Sequence, residues 1–295
     1  MNNNQESPIE LGTSGILAQG RWLRPRGIIW AIFLSPCALG LFVLTQYLGG
    51  LLHLPPNSSY YIVLGIPLLA LVGYGLLVAA AEGRRPVEVL PHRGTIAEIT
   101  MGALIGFLLL SAITAILWSL GLYKVQANHW RRVFDSFVFN SYLSGMMEEL
   151  MFRGILLRLL GRAFGLAWGL VLSSVLFGLA HLTHGDWLAV VGITINAGLT
   201  MGLLYMATGS IWMSIGLHTA WDFTEDSLLG VNSHNGLLLS MPVAGKPETL
   251  TGGQFGPDAS ALSLLIGVLL SAAIVFVWDR GLFRKTQPFA TQEVS

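Results

Sequence analysis

The chain has 295 residues, of which 53% are hydrophobic and only 11% charged, and its 16 basic and 16 acidic side chains cancel. Soluble domains carry about 25% charged residues, so this deficit, with a mean hydropathy of +0.65, excludes an ordinary soluble domain and points to a chain that crosses a membrane repeatedly. Net neutrality argues against nucleic acid as a partner, and the single cysteine, Cys37, excludes an internal disulfide or a paired-cysteine metal site.

A helix that crosses the hydrocarbon core needs roughly 20 mostly apolar residues. After a polar segment at 1–26, apolar stretches fall at 27–50, 60–81, 98–121, 133–158, 164–183, 187–208, 210–224 and 260–280. No small-residue cleavage site ends the first, which reads as a retained span rather than a signal peptide. The expected architecture is an all-α, polytopic membrane helical bundle with about eight transmembrane helices. Its parts are a cytoplasmic N-terminal segment (1–26), N-terminal transmembrane helices (27–122), a core (123–225), an extracytoplasmic loop rich in Gly, Asn and Pro (226–259), and a last helix with a cytoplasmic tail (260–295).

Lys and Arg placement sets the expected orientation. With the N-terminus inside, Arg21, Arg24, Arg26, Arg84, Arg85, Arg93, Arg158, Arg162, Arg280, Arg284 and Lys285 are cytoplasmic, and Lys124, Arg131, Arg132 and Lys246 are outside. That split of 11 to 4, with Arg153 set aside within a helix, places both termini in the cytoplasm, and the expected location is the plasma (inner) membrane, crossed several times. The stretch "KVQANHWRRVF", on the minority side, reads as an interfacial helix.

Ionisable groups inside such spans cost roughly 2.5 to 3.5 kcal/mol each by insertion scales and face a cavity or a partner. On the fourth span, Glu149 and Arg153 are four residues apart and stack as an ion pair, while Glu148 points about 100° away with no partner in its own helix. His218 and Asp222 repeat the four-residue spacing on the seventh span, and His181 ends the fifth. Each feature has a packing alternative. Glu149–Arg153 alone reads as structural, Asn196 reads as interhelical glue beside Ala197 and Gly198, Met146, Met147 and Met151 read as packing, and His184 reads as a loop residue. A carboxylate, a histidine and a His–Asp pair on three separate helices together nevertheless favour a functional role over packing. HExxH, the helical zinc-protease signature, is absent.

In that order, "EELMFR" (Glu148 to Arg153), "FGLAH" (Phe177 to His181) and "HTAWD" (His218 to Asp222) resemble the CPBP family of intramembrane proteases, which includes CAAX prenyl endopeptidases and bacteriocin-processing relatives. The resemblance covers about residues 95 to 225. It implies hydrolysis of a peptide bond in a membrane-embedded, lipidated or hydrophobic peptide reached from the bilayer. Glu148 and His181 would activate water, His218 and Asp222 would face the scissile carbonyl oxygen, and Glu149 and Arg153 would hold the helix in shape. An ionised Asp222 accepts hydrogen bonds only, so it would serve an oxyanion directly when protonated and otherwise orient His218. Two alternatives stand beside this. Glu148, His181, His218 and Asp222 also form an N/O ligand set for zinc, and intramembrane carboxylates and histidines serve proton-coupled transporters. A geometric demand follows from the helical rise. Counting about 21 Å from Arg162 to Glu148, about 28 Å onward to His181 and about 12 Å from Ser210 to His218, the "GRAFG" and "TGS" turns must lie at different depths or the helices must tilt.

Overall fold

A computed structural model of the chain describes residues 8–51, 56–128, 133–182, 187–231 and 236–283. The molecule is an all-α bundle with one short β-ribbon. Helix α1 (Leu23–Leu51) and α2 (Pro56–Leu77), which runs on into a π-turn at Val78–Glu82, lead to α3 (Thr95–Ser119). Strand β1 (Tyr123–Ala127) precedes α4, a run of α- and π-helical segments over 133–164. Then come α5 (Leu166–Ala180), α6 (Trp187–Thr208), α7 (Trp212–Asp222) with a π-helical extension at Phe223–Leu229, strand β2 (Leu238–Pro242) and α8 (Ala261–Asp279).

Five of the expected stretches are long and apolar enough to cross a membrane: Leu23–Leu48, Ser59–Glu82, Thr95–Ser119, Trp187–Thr208 and Ala261–Asp279. Helix α5 is a shorter apolar helix, and neither α4 nor α7 meets the same measure. The seventh stretch differs most from expectation, because residues 200–218 are all buried within the protein rather than facing lipid. The expected interfacial helix is corrected at its start. Residues 124–127 belong to β1, paired antiparallel with β2 in the register Tyr123 to Pro242 and Ala127 to Leu238. A buried Tyr123 beside an exposed Lys124 gives the alternation that a half-buried strand needs. Arg131 and Arg132 lie outside the described residues, and a helix begins at Val133.

Two glycine turns set the depth of everything that follows. Gly165 (φ +95°) closes the α4–α5 hairpin, and Gly209 (φ +72°) closes the α6–α7 hairpin; both conformations suit a residue without Cβ. Glu148 precedes Gly165 by 17 residues and His181 follows it by 16, so the antiparallel pair brings the two level. His218 lies only nine residues past Gly209. The Gly209 turn must therefore sit deeper than the Gly165 turn, as the sequence demanded. The volume beneath it is filled by the N-terminal segment and the loop after α2. A Cβ on Gly209 would come within 2.9 Å of the Pro8 carbonyl oxygen, and Ile211 N–H donates to Glu88 O at 3.1 Å. The polar N-terminus thus contributes core: Ile9 and Leu17 are buried, and Ser14 Oγ donates to Glu82 O at 2.6 Å.

The same end of the molecule holds a buried ion network. Arg158 on α4 makes two 2.8 Å hydrogen bonds to Glu82, and Arg84 grips Glu88 at 2.6 and 2.8 Å. Tyr74 bonds both Glu88 and Gly154 O. Two of the arginines that the charge count assigned to a cytoplasmic surface, Arg84 and Arg158, are therefore buried and paired. Beside it, α3 and α7 meet along glycines. A Cβ at Gly102 would lie 2.1 Å from Met213 O, and one at Gly216 would lie 2.2 Å from Ile99 O. Small residues let the two backbones touch, which fixes the helix that carries His218 and Asp222.

Candidate active site

Glu149 is fully buried, and one of its oxygens accepts two hydrogen bonds, from Arg153 Nη1 at 2.8 Å and from His218 Nδ1 at 2.9 Å. Arg153 Nη2 donates to Ala197 O on α6 at 2.8 Å, and its guanidinium lies 4.5 Å from the ring centroid of Phe177 on α5. The pair therefore extends beyond its own helix turn and ties α4 to α5, α6 and α7. Hydrogen bonds on several sides make a buried charge pair tolerable at this depth.

Glu148, one residue back, faces a different place. Its Oε2 is 4.0 Å from His181 Nε2 and 4.0 Å from His218 Nε2. Those separations are too long for a direct hydrogen bond and fit one bridging oxygen. His181 caps the C-terminus of α5, with Nδ1 at 2.9 Å from Phe177 O. A carbonyl oxygen only accepts, so Nδ1 carries the proton and the lone pair on Nε2 faces Glu148. Phe177 also packs against Phe152, His181 and His218, with ring centroids 4.8, 5.0 and 5.9 Å apart. Its place in "FGLAH" is that of a hub between the two histidines.

His218 Nε2 is 3.6 Å from Asp222 Oδ2, one turn further along α7. Ser144 Oγ on α4 lies 2.6 Å from Asp222 Oδ2 and also 2.6 Å from Asn140 O. The fold thus brings Glu148, His181, His218 and Asp222 from three elements to one place. His181, His218 and Asp222 line a cavity of about 210 Å³, together with Trp221, Asp226 and Asp258. His184 lies outside the described residues.

Two participants were not legible from spacing. Asp258 comes from the long loop before α8, drawn in when its backbone oxygen accepts from Asn196 Nδ2 and its Oδ2 accepts from Trp221 Nε1, both at 3.0 Å. Asn196 also donates to Ser263 Oγ at 2.8 Å, so it bonds across helices. Ser144 precedes Glu148 by four residues and so shares its face of α4, but a lone serine carries no chemical signal in the sequence. Among the described residues no group of three or more His, Cys, Asp or Glu side chains is arranged to hold a metal ion.

Residues 130–224, 95 of the 295, match the family described as type II CAAX prenyl endopeptidase Rce1-like. The matched span contains all three motifs. No curated protein and no solved structure matches the chain.

Proposed function

We propose that the protein is an intramembrane endopeptidase in which Glu148 activates a water against the scissile carbonyl of a membrane-embedded or lipidated peptide, a reading supported by the match of residues 130–224 to the type II CAAX prenyl endopeptidase Rce1-like family. The observation that carries this reading is the placement of Glu148 Oε2 at 4.0 Å from both Nε2 atoms. A water there donates one proton to Glu148, and the lone pair of His181 Nε2 takes its other hydrogen bond. Glu148 removes the proton as the oxygen attacks, and returns it to the leaving amine as the tetrahedral intermediate collapses.

The oxyanion needs donors that are in place before charge develops. His218, held by Glu149 through Nδ1, presents Nε2 to that side and donates from it when doubly protonated. Ser144 has one hydroxyl hydrogen for two acceptors at 2.6 Å. Both contacts are satisfied together when Asp222 carries a proton and donates to Ser144 while Ser144 donates to Asn140 O. Asp222 then acts as a neutral acid beside His218. Glu149 and Arg153 act through His218 and the backbone of α6, and are positioning residues.

The test is cleavage of a quenched, hydrophobic peptide by the purified, detergent-solubilised protein, with elemental analysis and a chelator arm. Metal-free protein that cleaves at an unchanged rate after chelation agrees with the proposal. Stoichiometric zinc, with activity lost on chelation and restored by metal, overturns the glutamate–water mechanism.

A further inference from the structure

Residues 236–260 lie outside the span matched to the protease family, yet one turn among them reaches the cavity that His181 and His218 line. Phe255, in the turn from Gly252 to Gly256, packs against the buried cluster of Phe152, Phe177 and Ile193 and forms part of the cavity wall. Three hydrogen bonds to three different elements hold this turn in place. Tyr123 Oη on β1 donates to Thr251 O at 2.8 Å, Asn196 Nδ2 on α6 donates to Asp258 O at 3.0 Å, and Trp221 Nε1 on α7 donates to Asp258 Oδ2 at 3.0 Å. Packing is as close as the bonding. Gly252 (φ +82°) has no room for a Cβ beside the Gly256 carbonyl, and a Cβ on Gly192 of α6 would lie 2.7 Å from Asp258 O. Phe255 follows the Thr251 anchor by four residues and precedes the Asp258 anchor by three, so its backbone cannot retreat without breaking one of them.

The space beside the ring is about 210 Å³. That is below the roughly 300–1,000 Å³ of sites that take a whole small molecule, and it suits one side chain of an extended peptide. His218 and Asp222 line the same cavity, so a peptide with its scissile carbonyl at them presents a neighbouring side chain to Phe255. Close-packed walls do not absorb extra volume without strain, and a ring fixed in this way sets an upper limit on what enters.

We propose that Phe255 is a specificity-determining residue that restricts the substrate residue beside the cleaved bond to a small side chain, an inference that rests on the protease reading above. The test uses the full-length Glu148→Gln variant in detergent and fluorescent hydrophobic peptides of one sequence, carrying Ala, Leu or Trp at either of two central positions. At one of those positions the Ala peptide should bind about tenfold more tightly than the Trp peptide, with Leu between them. Adding Phe255→Ala should remove most of that preference. Tyr123→Phe, which keeps the Phe255 ring but frees the turn at Thr251, should reduce it severalfold, and Phe255→Leu serves where the Ala variant does not fold. Equal affinities at both positions overturn the inference. A preference for Ala that survives the change at Phe255 and Tyr123→Phe alike overturns its assignment to this residue. A preference that depends on Phe255, in a protein whose wild type cleaves none of the peptides, removes the protease reading instead and leaves a peptide-binding cavity limited by that ring.

Discussion

At position 149 one carboxylate oxygen serves Arg153 and His218 together, so neutralising it strands a buried guanidinium and weakens the grip on the histidine. Breaking such a pair from one side costs about 3–5 kcal/mol. Glu149→Gln should therefore lower the folded yield and Tm sharply, whereas Glu148→Gln, whose Oε2 has no hydrogen-bond partner among the described residues, should leave both near wild type; thermal scans of the two variants decide this. The i, i+4 relation of Glu149 to Arg153 was plain in the sequence. The bond to His218, 69 residues away, was not, because only the close approach of α4 and α7 creates it. A pH effect belongs at this scale too. Burial pushes the Asp258 carboxyl up to about 6 from its ordinary 3.8, with the Trp221 N–H opposing. Between about 4 and 6 the folded state keeps a proton that the unfolded chain has released, so this group's contribution to stability falls as pH rises through that window. Asp258→Asn has no such proton, and its Tm relative to wild type should rise between pH 4 and pH 7. A constant difference across that range would contradict the assignment.

Among elements, the seam between α3 and α7 sets where His218 and Asp222 sit. A methyl at Gly216 would lie 2.2 Å from the Ile99 carbonyl, and backbone cannot retreat as a side chain can. Overpacking of this kind costs typically 1–3 kcal/mol. Gly216→Ala should lower Tm and also reduce kcat, since His218 lies two residues further along; a variant with wild-type Tm and kcat would show that the seam is looser than described. Helix positions were legible from apolar length alone, because α1, α2, α3 and α8 bury little of themselves and these four, like the more deeply buried α6, are continuous apolar runs. The strand at Tyr123–Ala127 was not, because five residues of mixed polarity fit a short helix as well as a strand and the partner at Leu238–Pro242 lies in a stretch that reads as loop.

Across the whole molecule, two ends do different work. One gathers the reactive groups, and the other holds α2, the N-terminal segment and α4 together through Glu82, Arg84, Glu88 and Arg158. Arg158→Ala would leave Glu82 with fewer donors in a fully buried place, and should reduce folded protein by an amount comparable to Glu149→Gln although it lies far along α4 from Glu148. Retention of wild-type yield and Tm would refute that role. Composition revealed the membrane protein, yet it hid this network, since a charge count treats every arginine outside an apolar run as surface. The packing role of the N-terminal segment was hidden for a similar reason: Ile9 and Leu17 are isolated apolar residues in a polar stretch, and only the deep Gly209 turn gives them something to cover.

The most direct test of the account is the rate at which purified wild-type protein and its Glu148→Gln variant cleave the same quenched hydrophobic peptide, with folded fraction matched. General-base catalysis contributes typically 10²–10⁴-fold. Loss of at least a hundredfold in rate at unchanged Tm is the predicted result. A folded Glu148→Gln variant that cleaves at the wild-type rate would contradict the central claim.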